Sequence, residues 1–111
     1  MLYRIYSGQD GQSHFEEMEV PTGPEGRSPT QAAQGIRFTR MEPGTFSDWH
    51  NAPRRQYVIT LAGAVEFGIG DGTVRRLGPG DMLLAEDLTG RGHTMRVVGA
   101  ETRVSATVPL A

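Results

Sequence analysis

Three imidazoles, His14, His50 and His93, are the side chains of this chain best suited to moving a proton near neutral pH. There is no cysteine, which removes thiol nucleophiles, disulfides and sulfur-ligated zinc, so a metal would have to sit on nitrogen or oxygen. His50 stands in a dense polar stretch, GTFSDWHNAPRRQYVITLAG over 44–63, with Asp48 just before it and Arg54 and Arg55 just after. His93 follows AEDLTGRG, which carries Glu86 and Asp87. An arginine fork can clamp a carboxylate or phosphate, and a carboxylate near an imidazole can orient it or share its proton work. Together these residue types suit acid–base chemistry on a small, polar, anionic molecule.

The rest of the chain must position them. At 111 residues there is room for one domain with one core, residues 1–111. The net charge of −2 with scattered signs offers no basic face for a phosphate backbone, so nucleic acid is not an expected partner. All of the cations are arginine, a choice that also suits carboxylate recognition. The start, MLYRIYSGQDG, lacks the apolar stretch of a secretory signal, and no run approaches the roughly 20 apolar residues of a membrane span. A cytoplasmic protein with no membrane partner is expected.

Fifteen glycines and seven prolines cut the sequence into short pieces whose apolar residues alternate with period two. Nine strands are expected, at 2–6, 14–20, 36–41, 56–63, 64–69, 73–77, 81–85, 93–98 and 102–108. Between them PTGPEGRSPTQAAQG, 21–35, reads as a surface loop, since PTQAA is too short to bury a helical face. So many short strands with even turns, such as GDG at 70–72 and GPGD at 78–81, predict an all-β fold closed into a sandwich or barrel that hides its edges.

The opening stretch resembles the first motif of the cupin family: glycine, five residues, His-x-His, three or four residues, glutamate, six residues, glycine. Gly44, His50, Gln56 and Gly63 fall on its positions, but Ala52 stands in place of the second histidine and Gln56 in place of the glutamate. The second motif is matched more loosely. Gly80 precedes DMLLA, Glu86 takes the proline position, and His93 arrives two residues late. The two motifs cover roughly 44–97.

The resemblance implies an antiparallel jelly-roll β-barrel whose inward side chains line a pocket, usually in a homodimer. The family's four metal ligands reduce here to His50, Gln56 and His93, which could hold one divalent metal (nickel, iron, manganese or zinc), with the neutral glutamine a weak donor. Strand alternation then groups Asp48, Ala52, Val58 and Thr60 with His50 and Gln56, and Met95 and Val97 with His93. His50, His93 and Glu86 are the catalytic candidates, and Arg54, Arg55 and Asp48 the substrate-binding ones. His14 is either a substitute ligand or a hydrogen-bonded structural residue, the second being favoured.

The cupin fold carries many chemistries, so function must come from the site. The expected function is that of a stand-alone small cupin acting on a small, polar, anionic molecule by histidine acid–base or weakly metal-assisted chemistry of isomerase, epimerase or lyase type. The alternatives are a non-catalytic small-molecule binder and a metal-dependent dioxygenase.

Overall fold

A computed structural model describes all residues from Met1 to Ala111. The strands are β1 (Leu2–Ser7), β2 (Ser13–Met18), β3 (Arg37–Met41), β4 (Phe46–His50), β5 (Gln56–Ala62), β6 (Ala64–Gly68), β7 (Val74–Leu77), β8 (Met82–Glu86), β9 (His93–Val98) and β10 (Arg103–Pro109). All nine expected strands are present, and one more, β4, lies inside the polar stretch. Its sequence, FSDWH, lacks an alternating apolar face and pairs only with β9, at the edge of its sheet. There is no helix, hence none long and apolar enough to cross a membrane.

Two sheets form the all-β jelly roll. One has the order β2-β1-β8-β5-β10-β3 and the other β4-β9-β6-β7. Every pairing is antiparallel except that of β1 with β8. The segment at 21–35 is irregular apart from one bridge between Ala33 and Leu110, as expected of a loop.

The chain passes from the large sheet to the small one through Gly63, between β5 and β6. Its φ is +72°, and a Cβ there would lie 2.9 Å from the Cα of Arg103, so only glycine lets the corner close on β10. The main core fills the space between the sheets, with Ile5, Leu83 and Ala85 from one and Val65, Phe67 and Val97 from the other. Each large apolar side chain fully buried there contributes roughly 1.5–3 kcal/mol. A second cluster, Leu2, Leu84 and Leu110, with Met18, Tyr57 and Met82 against it, sits on the outer face of the large sheet.

Candidate functional site

The two motif histidines meet as a cross-strand pair. His50 at the end of β4 is directly opposite His93 at the start of β9, with ring centroids 4.5 Å apart and planes at 61°. Gly92 permits this approach. With φ +79°, a Cβ on it would come within 2.0 Å of the His50 carbonyl oxygen, so the β4 backbone can lie this close only against glycine. Phe67 supports the far side of His93 edge-on, centroid to centroid 5.8 Å.

Each ring is pinned through its Nδ1. That of His50 lies 2.6 Å from the Asp48 carbonyl oxygen, which can only accept, so this nitrogen carries the proton and Nε2 is left as the basic one. That of His93 lies 2.6 Å from Oδ2 of Asp87, which also accepts from the Ser13 hydroxyl at 2.8 Å. Asp87 is 0% exposed and His93 5%. The aspartate thus fixes ring orientation and tautomer from behind, and Oδ1 of Asp87 makes no hydrogen bond. His50, by contrast, is exposed and stands at the mouth.

Both imidazoles line a cavity of about 150 Å³ between the sheets, together with Gln56, Ala52, Val58 and Met95. Strand alternation therefore brings together four of the residues expected to share a face with the histidines. Val97 lies on the same side but is sealed in the core.

Asp48 does not join them. Ser47 pairs with Met95 and His50 with His93, so three steps along β4 match two along β9. This bulge inserts one residue and breaks the period-two alternation, leaving Asp48 exposed, its Oδ1 accepting from the Trp49 backbone at 2.9 Å. Trp49 packs under Arg91, whose guanidinium carbon is 4.0 Å from the ring centroid.

Glu86 also lies elsewhere. It does share a face with Met82 and Leu84, but that is the outer face. Leu83 and Ala85 are the β8 residues at the cavity. Glu86 accepts from Arg4 Nε at 2.5 Å and from Arg55 Nε. Burial on its own would raise its carboxyl, but hydrogen bonds from Arg4 and Arg55 outweigh that and hold it below the usual glutamate range. Arg55 is accordingly committed outside, and Arg54 donates to the Gln34 side chain at 3.0 Å. Neither arginine lines the cavity. His14 lies on β2 with Nε2 3.0 Å from Asp10, also away from it.

The wall opposite the histidine sheet holds residues that the motifs do not mark. Arg103, Ser105 and Thr107 of β10 and Thr39 of β3 line the cavity. Arg103 is 3% exposed, donates from NH2 to Thr60 at 3.1 Å, and has no carboxylate partner, while its Nε is buried without any. Burial lowers its pKa to about 10, which leaves it cationic at neutral pH. The signal lay in the alternation of TRVSATV, where positions 103, 105 and 107 are polar and 104, 106 and 108 apolar. In a half-solvated sheet that pattern puts the polar residues outside, and here it is inverted.

The donor set does not suit a tightly held divalent metal. No group of three or more histidine or acidic side chains converges anywhere in the chain, the amide of Gln56 cancels no charge, and a cationic guanidinium lines the same cavity.

No family model matches the sequence, and no curated protein matches it. Solved structures do. An uncharacterized conserved protein with a double-stranded β-helix domain from Klebsiella pneumoniae is 21% identical with TM-score 0.55, covering 81% of this chain and 83% of that one. A sugar phosphate isomerase from a cupin superfamily, of Silicibacter pomeroyi, is 19% identical with TM-score 0.56, over 92% and 60%. The Schizosaccharomyces pombe Cnp3 cupin domain is 13% identical with TM-score 0.52, over 89% and 73%. At these identities the likeness speaks for architecture alone, and the architecture of this chain is that of the cupins.

Proposed function

We propose that this chain binds a small polar molecule in its cavity and moves a proton on it, with His50 and His93 as the acid–base pair and no tightly held metal. The observation that carries this reading is the pairing of two imidazoles in one cavity, each held by an oxygen acceptor at Nδ1 and so basic at Nε2. One Nε2 takes a proton from carbon next to a carbonyl, and the neighbouring ring returns one to the adjacent atom. The Gln56 amide, which lines the same cavity, donates to the oxygen that gains charge.

Both rings stand on neighbouring strands of one wall. This geometry favours isomerisation or elimination, in which the proton stays on one face, over epimerisation by two bases on opposite faces. Oxygen chemistry at a metal is disfavoured by the donor set and by the nearby cation.

The test is proton exchange. Small 2-oxo and 2-hydroxy acids are incubated with the protein in deuterium oxide, and loss of the signal next to the carbonyl is followed by proton NMR. Exchange should fall about 100-fold in His50→Gln and in His93→Gln. Binding without exchange would reduce the protein to a binder. Stoichiometric metal in tag-free protein that disappears in His50→Ala, with activity following it, would overturn the metal-free mechanism. Restoring the motif with Ala52→His and Gln56→Glu should raise metal affinity.

The homodimer implied by the resemblance is retained as part of the proposal. Its contact is the outer side of the edge strand β3, where Phe38 is 67% exposed and Ile36, just before the strand, is exposed too. A cytoplasmic location also belongs to this reading.

A further inference from the structure

We propose that Arg103 is the anchor of a carboxylate subsite, so that the cavity takes a monocarboxylate of about six heavy atoms, held by the β10 wall and facing the histidine pair. The inference rests on the reading of the cavity as a ligand site and adds the chemical class and the orientation of the ligand.

Three observations converge on it. Arg103 is almost wholly buried, yet it forms no salt bridge with any carboxylate of the chain, and of its donors only NH2 meets a partner, Thr60 Oγ1. Elsewhere in this chain even the half-exposed Arg4 and Arg55 find an acid, at Glu86. A guanidinium kept dry with an unengaged edge is a costly arrangement for folding, and its geometry matches the two oxygens of a carboxylate.

The second observation is the company it keeps. Ser105 and Thr107 follow Arg103 on the same face of β10, and Thr39, opposite Ser105 on β3, lines the same cavity. These hydroxyls line the cavity together with Arg103, and no acidic side chain does. Apart from the Gln56 amide the remaining lining is apolar or imidazole, so the cavity has one cationic group on the large-sheet wall and two imidazoles on the small-sheet wall.

Size supplies the third. A cavity near 150 Å³ takes a molecule of roughly six heavy atoms, such as a three-carbon oxo acid, and is too small for a sugar phosphate to enter whole. With the carboxylate on Arg103, the rest of such a molecule extends toward the histidines.

The experiment measures binding equilibria, separately from turnover. Pyruvate, its neutral analogue pyruvamide and inorganic phosphate are titrated into wild type, Arg103→Lys, Arg103→Met and the double variant Arg54→Ala/Arg55→Ala. The side-chain Nε–H resonance of Arg103 is followed in nitrogen-15-labelled protein, and amide dispersion checks that each variant is folded. Pyruvate should shift that resonance in wild type and bind at least about tenfold more tightly than pyruvamide. The preference should disappear in Arg103→Met, shrink in Arg103→Lys, which keeps charge but not the fork, and survive in the double variant. Equal affinity for pyruvate and pyruvamide, or a preference lost in the double variant but kept in Arg103→Met, would overturn the subsite while leaving the cavity as the ligand site. Failure of pyruvate and pyruvamide alike to bind folded wild type would overturn both readings, and stronger binding of phosphate than of pyruvate would overturn the assignment to carboxylates.

Discussion

The two faces of the wall formed by β5, β10 and β3 are opposite in character and each is contrary to its surroundings. The face turned into the molecule carries Gln56, Thr60, Arg103, Ser105, Thr107 and Thr39, with Val58 and Met41 as apolar members. The face turned out carries Tyr57, Ile59, Leu61, Ala106 and Phe38. A sheet selected for stability alone places these sets the other way round. The lesson is that polarity held inside at a cost in folding energy marks a place where something is recognised, whereas apolar surface outside calls for a cover. The small sheet shows no such inversion away from its histidines. Val65, Phe67 and Val97 fill the interior as ordinary core.

Substitutions can break or sharpen that contrast. The largest effect is expected where two neighbouring strands of the small sheet bring the histidines together. Gly92→Ala forces a Cβ into the His50 carbonyl at a positive φ and should cost about 3 kcal/mol or more, read from the urea midpoint, with the site lost alongside it. Asp87→Ala strands the Ser13 hydroxyl and the His93 Nδ1–H in a dry place and should cost about 3 kcal/mol. Asp87→Asn keeps an acceptor and should recover most of that stability.

Arg103→Met tests the polar face directly. Removing an unpaired buried cation should leave the ligand-free protein as stable as wild type or more so, the reverse of the usual result for a buried position. The pH dependence has a defined sign. The folded value, about 10, lies below that of an arginine in the unfolded chain, so the unfolded chain holds more protons between the two. The penalty is therefore fully present at neutral pH, and wild type should close on the variant only as pH rises through about 10.

On the outside, Glu86→Gln should cost about 1 kcal/mol and leave ligand binding unchanged, because the carboxylate serves two half-exposed arginines there. Its folded pKa lies below the unfolded value, so its contribution is present above about pH 4.5 and is lost as pH falls through the folded value. The smallest effect on folding, within about 0.5 kcal/mol, is expected for Phe38→Ser. If a second copy covers β3, that variant should be monomeric by light scattering at concentrations where wild type is a dimer.

The sequence was legible where chemistry and spacing coincide. His50 sits on a ligand position of the resemblance and His93 two residues past one, and alternation along β5 and β9 correctly groups Gln56, Val58 and Met95 with them. It was not legible where one backbone irregularity resets the count. The bulge in β4 removes Asp48, and no residue type in SDWH announces it. Glu86 shows a second limit, since alternation groups residues on a face but does not say which face is inside. Arg103 shows the same limit from the other direction, because a polar stripe on a strand reads as solvent-facing until the opposite sheet is in place. Arg54 and Arg55 drew notice by adjacency to His50, but their own strand end carries them outward, to Gln34 and Glu86.

The Ser13 hydroxyl that helps hold Asp87 belongs to β2, the outermost strand of the large sheet, whose only ladder partner is β1. Marginal strands fray long before a domain melts. Warming should therefore loosen the hold of Asp87 on the His93 ring through hairpin opening while the barrel remains intact, and the proton exchange proposed for the site should track amide exchange in β2 instead of the global melting curve.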